Sequence, residues 1–236
     1  MIRALVIVAF FIVGICPAAR AAQCGAGTKP VINIVASESE PRFDYSLSQE
    51  QLGKMQGNND VPQDSIYDLT VNAMSVGTMK IVHSLKFITQ AMPDKQICVH
   101  VSQVNVNIHV DPVIYIASEL RSAACEYKEY LIHEMKHVEA DRALIEDYKA
   151  VIVRNMDFAF PETADYGAGP LPHSLTKDAR QSLSENVAGV LQATIDSMLR
   201  ERQPRQREID NTGEYIRLSR ACPEGGPGVK AELRMP

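Results

Sequence analysis

The segment 97-ICVHVSQVNVNIHV-110 alternates apolar with polar residues, whereas 123-AACEYKEYLIHEMKHVEADRALIEDYKAVIVR-154 repeats its apolar residues at helical spacing. That change of period decides the fold class. In the first segment Ile97, Val99, Val101, Val104, Val106, Ile108 and Val110 are the apolar members, the pattern of a strand with one buried face. The phase slips between Val101 and Val104, which fits either one bulged strand or two strands. Asp111-Pro112 then ends the run, and 113–116 adds a last short strand. In the second segment neither Gly nor Pro interrupts the helical period, and two stripes can be traced. Tyr127, Leu131, Met135, Val138, Ile145 and Ile152 read as core. Tyr130, His133, His137, Ala140, Leu144 and Tyr148 form the other stripe, which carries two imidazoles into an otherwise apolar face. Tyr148 itself reads as core packing.

Working outward, 31–35, 42–48 and 79–87 read as strands, Ser48 as a helix start, and 58–63 as a turn. The Pro- and Gly-rich stretch 161–172 reads as a loop beside a cleft, and 175–202 as a second long helix. A polar hinge at 203–207 and a short helix at 214–219 follow. The expected fold is α+β: a small, mostly antiparallel sheet packed on the long histidine-bearing helix plus at least one further helix.

Residues 1–21 have the build of a secretory signal peptide, with Arg3, an apolar run from Ala4 to Cys16, and Ala19-Arg20-Ala21 before the cut. The run is shorter than the ~20 residues a membrane span needs, so no stable membrane anchor is expected after cleavage. Residues 22–222 then read as a single domain and 223–236 as a disordered tail. The expected location is periplasmic or secreted. Cleavage leaves 22 basic against 29 acidic residues, a net charge of −7, which points away from a nucleic-acid partner. Cys24, Cys98, Cys125 and Cys222 remain, an even number that implies two disulfides in an exported chain. Position alone favours Cys98–Cys125 and Cys24–Cys222.

Residues four apart on a helix stack on one face about 6 Å apart, so His133 and His137 can converge on one metal ion. Glu134, beside the first imidazole, is placed to act as general base toward a water activated by zinc. Asp141 lies about 12 Å of helical rise beyond His133, too far for a third ligand. It suits either orienting His137 from outside or an ordinary ion pair with Lys or Arg.

This arrangement resembles the zincin metalloproteases and, more narrowly, a bacterial family of exported proteins regarded as zinc-dependent proteases. The narrower resemblance rests on Cys98, Val101, Val104, Val106 and Ile108, then Cys125, the 133–137 motif and 209-IDNT-212. It implies Zn2+ as cofactor, a peptide or protein substrate, and a zincin-like catalytic domain hydrolysing peptide bonds with Glu134 as catalytic residue. It also implies a third ligand on the later helix, where Glu185 stands; His173 in the loop is another candidate. The alternative is a non-catalytic exported protein that uses a degenerate zincin scaffold for binding or assembly.

Overall fold

The computed structural model describes residues 24–25, 27–56 and 71–222. The expected signal peptide at 1–21, the expected turn at 58–63 and the expected tail at 223–236 lie outside them. In chain order the elements are β1 (Val31–Glu38), β2 (Arg42–Asp44), α1 (Gln49–Gln56), β3 (Ala73–Ala91), β4 (Gln96–Ile116), α2 (Ala124–Ala159), β5 (Gly167–Pro172), α3 (Thr176–Ile209) and α4 (Thr212–Arg220). The class is α+β.

Strand β4 organises the sheet. β3 runs antiparallel along its whole length on one side. Three short strands tile the other side: β5 antiparallel against Gln96–His100, β1 parallel against Gln103–Val110, and β2 parallel against Val113–Tyr115. The path β1–β4–β2 is therefore parallel, and the expected small, mostly antiparallel sheet is corrected to a mixed five-stranded one. Period-two patterning reports which face a residue occupies and carries no information on strand direction, so the sequence could not decide this.

The phase slip in β4 is a bulge. Lys86 pairs with Gln103 and Phe87 with Val101, which leaves Ser102 without an opposite residue. One strand thus keeps Val101 and Val104 on the same face. Pro112 does not end the strand either. It pairs with Gly77 of β3 at a point where β1 has stopped and β2 has not begun, so its missing N–H breaks no ladder on that edge.

The long helix α2 covers the apolar face and divides the core in two. Its C-terminal half (Ile145, Ile152, Met156, Phe160) packs with Leu183, Val187 and Leu191 of α3 onto Ile97 to Val110. Nearer its N-terminus, Val138 joins Leu52 and Leu120 over Ile114 and Ile116. Tyr148 is core as expected, beside Leu144 and Met198, with its hydroxyl donating to Glu201 at 2.8 Å. With no tryptophan in the chain, these aliphatic side chains supply the burial, each contributing about 1.5–3 kcal/mol.

Two further expectations are corrected. The 161–172 stretch supplies strand β5 rather than a loop, and α3 passes through Pro204 instead of ending before a hinge. The helix survives the proline because the residues around it are anchored to α2: Arg202 pairs with Asp141 and Arg205 with Asp147.

The disulfides join Cys24 to Cys98 and Cys125 to Cys222, not the pairs that position favoured. Between Cys98 and the start of α2, β4 carries the chain tens of ångströms away, at about 3.3 Å per residue. Cys98 and Cys125 therefore sit at opposite ends of the sheet, far beyond the ~7 Å between Cα atoms that a disulfide spans. Among the described residues no helix is long and apolar enough to cross a membrane.

Candidate metal centre

Four elements meet above the β3–β4 end of the sheet. Helix α2 presents His133, Glu134, His137 and Asp141, and the last turns of α3 bring Arg202 and Gln206 against it. The junction between α3 and α4 supplies Asp210, held by the start of α4, where Asn211 accepts a bond from the Glu214 amide at 3.0 Å. α4 adds Glu214 and Tyr215.

The rings of His133 and His137 stand edge to face, with centroids 5.0 Å apart. Their Nε2 atoms are 3.4 Å apart, and Asp210 Oδ1 lies 3.1 Å from the first and 3.2 Å from the second. Nitrogen and oxygen donors held about 2.0–2.1 Å from one tetrahedral ion stand roughly 3.3 Å apart. The three atoms form that triangle, and these residues could hold a metal ion. The Asp210 side chain keeps 37% exposure, so the triangle is open to solvent on its carboxylate side.

The remaining ring nitrogens are fixed from behind. His133 Nδ1 faces Glu214 Oε1 at 3.3 Å, and His137 Nδ1 donates to Gln206 Oε1. Such outer partners set tautomer and ring angle. Each is itself braced. Glu214 receives Lys136 at 2.6 Å and Arg217 at 2.9 Å, and these cations hold its carboxyl down at about 2. Gln206 donates to Asp141 Oδ1 at 2.8 Å and to the His137 carbonyl at 3.2 Å. Asp141 in turn takes both Arg202 bonds at 2.7 Å. It thus combines the two roles the sequence left open: ion pair with Arg202, and support for His137 through Gln206.

Glu134 is 4% exposed, and burial pushes its carboxyl up to about 7 against the pull of His137, His133 and the Ser75 amide. That places it in the range where a carboxylate exchanges protons at neutral pH. Burial pulls the His137 imidazole down, but Asp210, Glu134 and Gln206 together hold it above its usual value. Burial likewise raises Asp210, yet its hydrogen bonds to both imidazoles carry it well below the carboxylate range. Tyr215 lies with its ring 6.2 Å from His133, and burial together with Asp210 pushes its phenol well above the usual value.

The structure brings His133, His137 and Glu134 together as the sequence predicts. It does not bring Glu185 to them, which corrects that assignment. Glu185 is exposed near the far end of α3, bonded to Gln181 at 2.9 Å, and about 30 Å of helix separates it from Gln206. His173 is also exposed, at the start of the short turn leading into α3. The site roles of Asp210, Gln206, Glu214 and Tyr215 escaped the sequence reading, although Asp210 stood in the quoted 209-IDNT-212. The available signal was 210-DNT-212, a helix-capping signature directly ahead of the short helix. Compared with protein-family models, curated proteins and solved structures, the chain matches none of them.

Gly77 opens the floor of the centre. A Cβ there would lie 2.6 Å from Asp141 Oδ2 and 2.8 Å from Arg202 Nη2, and the Gly77 carbonyl accepts from Arg202 at 3.1 Å. Asp141→Ala strands this guanidinium. Breaking a buried pair costs about 3–5 kcal/mol, here at the lower end because Arg202 keeps 28% exposure. A fall in Tm of about 6–12 °C is expected by calorimetry, with about 10–100-fold weaker metal binding. An unchanged Tm would remove Asp141 from the support of the site.

Proposed function

We propose that the protein is an exported zinc-dependent metallopeptidase of zincin type, with Asp210 as the third ligand in place of the expected Glu185. The observation that carries this reading is the triangle of His133, His137 and Asp210 with a buried, proton-exchanging Glu134 on the next residue of the same helix. Two imidazoles and one carboxylate are the donor set of catalytic zinc sites, which keep a fourth position open. The solvent-facing side of Asp210 supplies that opening.

When bound, zinc supplies a Lewis acid that acidifies water and polarises an amide carbonyl. The residues of the chain do the rest. Glu134 takes the proton of the attacking water on its carboxylate and returns it to the departing amine. Glu214 and Gln206 keep the two imidazoles in the orientation that leaves both Nε2 lone pairs facing Asp210. Tyr215 stays protonated and its phenol, hydrogen-bonded to Asp210, steadies that carboxylate. The two disulfides support an oxidising compartment, in agreement with the signal-peptide reading of 1–21.

Glu134→Gln tests the mechanism. Hydrolysis of a peptide library should fall about 10²–10⁴-fold, while zinc stays at one per chain. Hydrolysis equal to the parent's would sink the role of Glu134. A parent that holds zinc tightly and cleaves no peptide would favour the binding-protein reading.

A further inference from the structure

About 40 Å along β4 from the metal centre lies a second imidazole with no explanation in the proposed reaction. His100 is 5% exposed, and among the described residues neither its Nδ1 nor its Nε2 has a hydrogen-bond partner. An imidazole always carries at least one N–H and one further polar position, and buried groups of that kind are paired in nearly every folded protein. One of its ring nitrogens lies within 4.8 Å of the sulfurs of both Cys24 and Cys98. Those sulfurs form the disulfide that ties the segment before β1 to the start of β4.

The surrounding chain is shaped to these three side chains. A Cβ on Gly27 would lie 3.0 Å from His100 Nδ1, and one on Gly167 would lie 2.5 Å from it. A Cβ on Gly169 would lie 3.2 Å from the Cys24 sulfur, and φ there is +123°, a conformation that itself favours glycine. Three glycines thus bring two separate segments into contact with the ring and the sulfurs, where any larger residue would intrude.

We propose that Cys24, Cys98 and His100 form a second, redox-gated metal site, closed in the disulfide form and able to hold one thiophilic ion of the zinc class once reduced. Two thiolates and one imidazole are a donor set that such ions favour, chemically unlike the imidazole–carboxylate triangle at the other end of the sheet. The electron balance is simple. A dithiol reductant gives two electrons to the Cys24–Cys98 bond and leaves as its own disulfide. The two protein sulfurs take up two protons as thiols and release them when the ion binds. The sulfurs must then part to about 3.8 Å, the spacing of two donors 2.3 Å from one tetrahedral ion. Cys24 can move that far, because it precedes β1 and the described residues 24–25 and 27–30 belong to no helix or strand. Binding would also give the orphaned imidazole nitrogen its partner.

The test uses the full oxidised chain and the same chain reduced under anaerobic conditions, titrated with Co2+. Thiolate-to-cobalt charge transfer absorbs in the near ultraviolet, and an imidazole–carboxylate centre gives no such band. The reduced parent should show the band, saturating with one ion per chain beyond any ion that the band-less His133–His137–Asp210 centre takes, and Cys125→Ala/Cys222→Ala should show it too. Cys24→Ala should lose it. His100→Leu should weaken the affinity at least about tenfold, while its oxidised form melts no lower than the parent, since leucine leaves no unpaired polar atom. The proposal is overturned by a reduced parent without the band, or by a His100→Leu affinity equal to the parent's. The cobalt band is independent of peptide hydrolysis, so failure here leaves the metallopeptidase reading standing, and the reverse.

Discussion

Asp210→Ala should release the metal. Of the three donors it is the one shared at 3.1 and 3.2 Å by both imidazoles, so its loss leaves two neutral ligands on one helix. Removing an outer partner of a ligand costs about 10–100-fold in metal affinity, and removing the ligand should exceed that. Competition against a chromophoric chelator would measure it. Glu185→Ala is the matched control and should bind zinc as the parent does, since Glu185 is exposed and remote. Should Asp210→Ala keep its zinc, the centre would have to draw its third donor from elsewhere, and the triangle would lose its meaning.

The largest stability effect is expected from Cys125→Ala/Cys222→Ala. That disulfide closes a loop of 97 residues, and chain-entropy estimates for loops of this size are about 4–5 kcal/mol. With roughly 2–4 °C per kcal/mol for a domain of this size, Tm should drop by about 8–20 °C. The disulfide also fastens the end of α4 to the first turn of α2, eight residues before His133 in the sequence. Asp210, Glu214 and Tyr215 hang between that fastening and α3, so the variant should bind zinc more weakly as well. Zinc at a hundred times its Kd should restore about 2.7 kcal/mol in either protein if the fold carries a competent site. A variant whose Tm does not respond to zinc would show that the clamp is required for the site and not only for the fold.

The histidine pair, the glutamate beside it and the helix that carries them were legible because helical spacing is a local property: His133 and His137 share a face by arithmetic. The carboxylate that completes the triangle was not, because Asp210 reaches them across 77 positions and only tertiary packing decides that distance. Pro204 made this harder. Read locally it marks a hinge, which detached 209-IDNT-212 from the second long helix; the anchors at Arg202 and Arg205 override the local cost and carry α3 to Ile209. β4 shows the same division. Its buried face could be listed residue by residue and the slip at Ser102 could be detected, but parallel and antiparallel neighbours impose the same alternation. Cysteine number gave two disulfides, whereas their pairing depended on how far one straight strand carries the chain.

The order of the donors along the chain sets an order of events. Synthesis delivers His133 and His137 well before Asp210, and Cys222 shortly after it. A chain caught partway offers a visiting ion two imidazoles and nothing else, a weak and exchangeable grip. On the metallopeptidase reading, tight retention would await the docking of the later segment, which the Cys125–Cys222 bond fastens. On that reading, metal loading would then be timed to the closure of the Cys125–Cys222 bond.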